Sequence, residues 1–170
     1  MGTASDFYSS VVAGIGAIKG PLHGGAIDGA MEMFLDIESP ERAASYVDRA
    51  LESKQKLLGF GHRVYRAGDP RAGQLRGMAQ KLAESRGDTK WFDIALAAEQ
   101  RMQETKGIIA NVDYFAALVL YYLGFPLNLF TNVVASARIV GWSAHIFEQY
   151  ENNRLIRPRA RYVGHRGRTL

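Results

Sequence analysis

The 170-residue sequence contains no cysteine. That removes disulfides, a thiolate nucleophile and cysteine-ligated zinc, so packing alone must hold the fold, and no residue points to an oxidising compartment. Long apolar runs are lacking as well. Runs such as Phe115 to Leu120 fall far short of the roughly 20 residues a membrane-spanning helix needs. Met1-Gly2-Thr3 shows no basic-then-apolar signal pattern, so the expected compartment is the cytoplasm and no membrane partner is expected. The metal-binding HExxH pattern and close histidine pairs are missing, as are GxxxxGK[S/T] and GxGxxG, with no parallel-strand pattern to carry them. Metal chemistry, nucleotide hydrolysis and dinucleotide binding are therefore unsupported.

What is present is ordinary globular composition, 47% hydrophobic and 22% charged in 18.8 kDa, enough for one real core. The formal charge of +4 is local: residues 151 to 170 carry six arginines against Glu151, a net +5, which leaves residues 1 to 150 at −1. Such a tail can touch phosphates, but it lacks interleaved aromatics beyond Tyr162 and no recognition-helix pattern precedes it, so no nucleic-acid partner is expected.

Apolar residues recur at helical spacing throughout. The stripes are Tyr8, Val11, Ile15, Ile18; Ile27, Met31, Phe34, Leu35; Tyr46, Val47, Ala50, Leu51; Leu75, Met78, Ala79, Leu82; Trp91, Ile94, Ala95, Ala98, Met102; Phe115, Leu118, Val119, Tyr122; and Val133, Ala137, Val140, Ala144, Phe147. Ser39-Pro40 and Asp69-Pro70 each put a capping side chain before a proline at the first helical position. The expectation is an all-α fold of about seven helices, broken at Gly20-Pro21, Leu57 to Gly68, Lys106 to Asn111, and from Ile156 onward. The stretch from Phe130 to Asn152 is apolar enough to need cover on more than one side, as in an oligomer or a larger body.

Two of the four histidines stand out. His23 lies in Gly20-Pro21-Leu22-His23-Gly24-Gly25-Ala26, between helices, where glycines permit close approach to a ligand; a turn histidine capping the next helix is the plainer reading. His62 lies in Gly59-Phe60-Gly61-His62-Arg63-Val64-Tyr65-Arg66, a loop feeding a helix. His145 reads as a helix-face or interface residue and His165 as a solvated tail residue. Asp113, in Asn111-Val112-Asp113, is either a reactive carboxylate or an acid complementing a helix dipole behind the Asn111 cap. Arg71 follows Asp69-Pro70, and Arg138 interrupts the apolar Val133 to Val140 segment, where it needs an anionic ligand or a buried salt bridge. Two glycine-framed histidines, one helix-start aspartate and ordered arginines suit general acid–base work on a small polycarboxylate.

Ser5-Asp6-Phe7-Tyr8, Gly20 to Ala26, Gly59 to Arg66 with Asp69-Pro70-Arg71, Asn111-Val112-Asp113, Leu129-Phe130-Thr131 through Arg138 and Gly141-Trp142, and Ile156-Arg157-Pro158 resemble, in order and spacing, the C-terminal half of the citrate synthase family. The resemblance covers essentially the whole chain. It implies an all-α, homodimeric enzyme condensing acetyl-CoA with oxaloacetate, with acetyl-CoA a co-substrate and no cofactor bound. By the same resemblance, Asp113 takes the methyl proton, His23 stabilises the enol at the thioester oxygen and His62 polarises the ketone. Arg71, Arg138 and Arg157 bind carboxylates, with Arg157 reaching a partner subunit's site. Leu58, Gly59, Phe60 and Gly61 meet the CoA adenine, and Arg66 meets a phosphate.

Members of this family are about twice as long, and a further oxaloacetate-binding histidine precedes the Ser-Asp-x-Tyr segment. The resemblance therefore implies residues 1–26 as a large-domain piece, 27–127 as the small mobile domain and 128–170 as the large-domain helix and tail. It also implies an N-terminal half or partner subunit, and little turnover from this chain alone; part of a longer enzyme and one subunit of a split enzyme fit equally. The alternatives are 2-methylcitrate synthase, which uses propionyl-CoA, and a non-catalytic acyl-CoA or carboxylate-binding module.

Overall fold

The computed structural model describes residues 1–65 and 68–167. Among these are seven α-helices and one 3-10 turn, with an isolated antiparallel bridge, Phe60 to Ala110, in place of any strand. Helix α1 (Phe7–Ile18) starts where the Asp6 carboxylate accepts from the Ser9 N–H at 2.9 Å. Helix α2 (Ala26–Ile37) buries Ile27, Met31, Phe34 and Ile37 on three-and-four spacing. Helix α3 (Pro40–Glu52) follows Ser39, whose expected side-chain cap is not made; its hydroxyl serves the Glu41 carboxylate instead and lowers that group's pKa. Proline at the first helical position presets φ there without it. Helix α4 (Pro70–Arg86) is capped by Asp69 as expected, and after α5 (Lys90–Lys106) comes α6 (Val112–Tyr122), capped by Asn111. A 3-10 turn, Leu127–Leu129, leads into α7 (Phe130–Glu151).

Helix α6 lies at the centre, against α4 on one side and α2 on another, while α3 packs on α5. Its Tyr114 is wholly buried. The ring meets Phe34 and Phe115 edge-on, at 4.9 and 5.1 Å between centroids, and its hydroxyl donates to the Ala95 carbonyl at 2.8 Å, which satisfies the one polar atom it carries inward. Helix α4 approaches through Ala72, Ala79 and Ala83. These small residues keep its contact strip narrow, so Met78, expected on the core stripe but a helical step of about 100° from Ala79, is exposed. On the outer side Arg101 grips Asp48 with two hydrogen bonds, at 2.8 and 2.9 Å, and ties α5 to α3.

The continuous core runs from Ile27 to Phe130 and takes nothing from α1. Helices α1 and α7 instead pack on each other: Phe7 stacks on Phe147 at 5.5 Å, Gly14 lies against the Trp142 ring, and the Tyr150 hydroxyl donates to the Ser5 carbonyl. Only Phe130 and Ile146 of α7 are buried, and Tyr8 (78%), Val140 (76%) and Phe147 (56%) face outward. The α7 stripe thus lacks the two-sided cover its composition calls for within this chain. Among the described residues no helix is long and apolar enough to cross a membrane.

Truncating Phe34→Ala, at the closed centre of this core, should cost about 3–5 kcal/mol of unfolding free energy, whereas Val140→Ala on the open face of α7 should stay within about 0.5 kcal/mol. Urea denaturation of the two variants measures the contrast directly. Equal losses would mean that α7 is covered and the core wrongly placed.

Candidate active site

The loops that precede α2, α4 and α6 converge on the first three turns of α7, enclosing a cavity of about 590 Å³. Local sequence dictates each loop. Before α2, the His23 N–H donates to the Gly20 carbonyl at 2.9 Å, and Gly24 and Gly25 press against Ile18 and the Lys19 carbonyl so closely that a Cβ would lie 2.7–2.8 Å from them. Before α4, Gly59 (φ +87°) lies on the Tyr114 ring with no room for a side chain, and Gly61 (φ +71°) also takes the left-handed conformation. Reciprocal bonds clamp this loop to the segment before α6: the Gly61 N–H donates to the Ile109 carbonyl and the Asn111 N–H to the Gly59 carbonyl. The Asn111 side chain does two jobs. Its oxygen accepts from the Asp113 N–H at 3.0 Å and its amide donates to the Gly61 carbonyl at 2.8 Å.

Into this cavity come His23, His62, Arg71, Asp113 and Arg138, together with Leu58, Gly59, Phe60 and Gly61. Nine of the eleven positions singled out from the sequence therefore line one space. Arg157 does not; it lies in the exposed tail, and Arg66 lies outside the described residues. His145 and His165 are exposed and do not line the cavity. Lys56 and Arg63, which were not singled out, also line it. Their only sequence signal was a positive charge on each flank of the glycine loop.

Electrostatics differ sharply between the two carboxylates. Asp69, expected only as a helix cap, is the buried partner of Arg71. Its oxygens accept from the Arg71 N–H at 3.0 Å, from Nε at 2.9 Å and from Nη2 at 2.7 Å, and from the Val112 N–H at 3.2 Å. The Arg71 side chain, through this hydrogen bonding first, outweighs the opposing burial and holds the Asp69 pKa at about 2. Asp113 has no comparable donors to its carboxylate among the described residues, and burial pushes its pKa above the ordinary value. Arg71, His23 and Arg138 pull the other way, while Asp69 adds to the rise. A carboxylate so placed is a stronger base than one in water.

His62 is held in one tautomer. Its Nδ1 accepts from the N–H groups of Val64 and Tyr65, each at 3.0 Å, so the ring hydrogen sits on Nε2 as a donor. The Tyr65 ring lies 4.5 Å from that imidazole and within 5.9 Å of the Arg71 guanidinium. Of the two partners expected for Arg138, the buried salt bridge is not made among the described residues: the side chain is exposed towards the cavity, because the α7 face around it is uncovered rather than sealed. Among the described residues no group of three or more His, Asp or Glu is placed to hold a metal ion. The arrangement therefore offers a base, a neutral hydrogen-bond donor, a second histidine and two guanidiniums around one small-molecule cavity.

Residues 1–159 match the family described as citrate synthase, C-terminal domain. Citrate synthase 2 of Bacillus subtilis is 49% identical over 95% of the chain, and 2-methylcitrate synthase 1 of Corynebacterium glutamicum is 44% identical over the same share. Among solved structures, the citrate synthase of Thermoplasma acidophilum, in ternary complex with carboxymethyl coenzyme A and oxaloacetate, superimposes with a TM-score of 0.90 at 41% identity over 99% of the chain. The chain spans less than half the length of each: 44%, 42% and 46% respectively.

The two carboxylates should answer the same substitution with opposite signs. Asp69, with its pKa lowered, contributes stability that is present above about pH 4 and fades as pH falls towards 2; Asp69→Asn should lose about 1–2 kcal/mol at pH 7, discounted for the half-exposed Arg71, with the gap closing below pH 4. Asp113, with its pKa raised, is favoured by protonation and loses stability as pH rises, so Asp113→Asn should stabilise the fold at pH 7 and not at pH 3. Urea unfolding at both pH values reads both signs.

Proposed function

Since the chain belongs to the citrate synthase C-terminal-domain family, we propose that it supplies the acid–base and carboxylate-binding groups of an enzyme condensing acetyl-CoA with oxaloacetate to citrate and CoA. The observation that carries this reading is the single cavity shared by His23, His62, Asp113, Arg71 and Arg138.

In this reading Asp113 removes a proton from the acetyl methyl while His23 hydrogen-bonds the thioester oxygen. The coupling is needed because a carboxylate, even one with a raised pKa, is far too weak a base for a thioester α-carbon unless the developing oxyanion is stabilised at the same moment. The enol carbon then attacks the ketone of oxaloacetate, polarised by the Nε2–H of His62, while Arg71 and Arg138 grip its two carboxylates. Water hydrolyses the citryl thioester. The glycine loop from Leu58 to Gly61 receives the adenine of CoA, and Lys56 and Arg63 on its flanks supply positive charge for the phosphates; Arg66 was expected in the latter role. Residues 1–26 and 128–170 act as large-domain pieces around a small, mobile domain of residues 27–127. The active form is a cytoplasmic homodimer in which Arg157 reaches a carboxylate in the neighbouring subunit's site. Pro158 supports that reach, since it biases Arg157 to an extended backbone.

A 2-methylcitrate synthase at 44% identity favours one second reading, propionyl-CoA in place of acetyl-CoA. One methylene is worth only about 1–3 kcal/mol of discrimination, so a few side chains around Asp113 decide between them.

Release of free CoA thiol from acetyl-CoA and from propionyl-CoA, each with oxaloacetate, tests both readings in an assembly competent for turnover; the larger kcat/KM names the substrate. Asp113→Asn should lower turnover about 100-fold or more while leaving oxaloacetate affinity nearly unchanged. Calorimetry of this chain alone should show CoA binding. Binding without turnover in any assembly would make it a non-catalytic module. Mixing Arg157→Ala subunits with Asp113→Asn subunits should restore activity in part; no recovery after verified exchange removes Arg157 from the neighbour's site.

A further inference from the structure

Where Val134 and Arg138 stand in the cavity depends on where α7 begins, and α7 has no cap of its own. Leu129 occupies the cap position and offers no side-chain hydrogen bond. The cap comes instead from Asp28, 103 residues upstream in the first turn of α2. One oxygen of its carboxylate accepts from the Thr131 N–H at 3.2 Å and the other from the Thr131 hydroxyl at 2.7 Å. The same hydroxyl lies 3.4 Å from the carbonyl oxygen of Gly24, the residue after His23. Gly24 is itself packed against Ile18, so closely that a Cβ there would lie 2.7 Å from that side chain.

One carboxylate thus faces the N-termini of two helices, which both favour negative charge, and it locks the start of α7 to the loop that carries His23. Arg138 is seven residues beyond Thr131, almost two full turns and about 10 Å along the axis, so the two residues share one face of a stiff rod. A displacement at Thr131 is carried to the guanidinium. No local feature of α7 would correct it, since Arg138 has no ion-pair partner among the described residues to hold it in place.

We propose that Asp28 is a positioning residue which, through Thr131, sets the distance between Arg138 and His23 that a small dicarboxylate in the cavity requires. The inference rests on the reading of that cavity as an oxaloacetate site. It assigns Asp28 no contact with substrate: its effect passes through Arg138.

The test is a double-mutant cycle on oxaloacetate binding by this chain, read by calorimetry. Asp28→Ala should weaken binding about tenfold or more, within the roughly 100-fold that an ångström of misplacement can cost. Arg138→Ala should weaken it further, and the double variant should bind no worse than Arg138→Ala alone. Factors that multiply would show Asp28 acting independently of Arg138 and would overturn the proposal. Thr131→Val, nearly isosteric, should reproduce the loss and Thr131→Ser should rescue it, which guards against a misfolded Asp28 variant. Where turnover is measured, KM for oxaloacetate should rise while KM for the acyl thioester holds; equal rises point to general loosening and count against the proposal. If neither the chain nor an assembly competent for turnover binds oxaloacetate, the functional reading fails separately, and the geometry is still read without ligand. The Arg138 Nε–H and His23 ring NMR signals should move in Asp28→Ala and Thr131→Val and return in Thr131→Ser. Signals that stay in place refute the positioning role.

Discussion

A carboxylate closed off from solvent, that of Asp69, gathers four donors from two separate parts of the chain, and the geometry of the cavity is organised around it. Burying an ion is costly unless it is paired and fully hydrogen-bonded, and here the Arg71 guanidinium and two backbone N–H groups supply those partners. Because one donor is the Val112 N–H at the head of α6, Asp69 fixes the start of α4 relative to the start of α6. Arg71 and Asp113 are therefore held in one frame, although 42 positions separate them in sequence.

The two acids of the site illustrate how environment divides labour. Asp69 is surrounded by donors and stays ionised well below neutral pH. Asp113 is half-buried, without donors to its carboxylate among the described residues, and burial raises its pKa. Asn111 fits the same pattern: one side-chain amide caps α6 and pins the glycine loop, so the backbone that delivers Asp113 also delivers His62. His62 in turn has its tautomer chosen by two N–H groups of its own loop, a local effect that needs no distant partner.

Much of this is legible in the sequence. The seven stripes correspond to seven helices because burial of an apolar face at 3.6-residue spacing is a local rule, and Asp69-Pro70 and Asn111 mark helix starts through hydrogen bonds two residues long. The motifs around His23, His62, Asp113, Arg71 and Arg138 identified residues that share a cavity. Less was legible where neighbours from elsewhere decide the outcome. Met78 and Phe147 keep helical spacing yet face outward, since a stripe says where a face is and not whether anything covers it. Ser39 serves the Glu41 side chain rather than the backbone N–H groups of the helix it precedes.

The sequence by itself determined the all-α class, the helix boundaries set by proline and by short polar caps, and the chemical types of the groups in the loops, because each of these is settled within a few residues. Only the tertiary structure decided what those groups can do. It made Asp69 the partner of Arg71 and Val112, left Arg138 exposed instead of buried, brought Lys56 and Arg63 to the rim, and used Asp28 to cap a helix 103 residues away. The reason is physical: burial, charge pairing and remote capping depend on distances through space, and those exist only once α2, α4, α6 and α7 have packed.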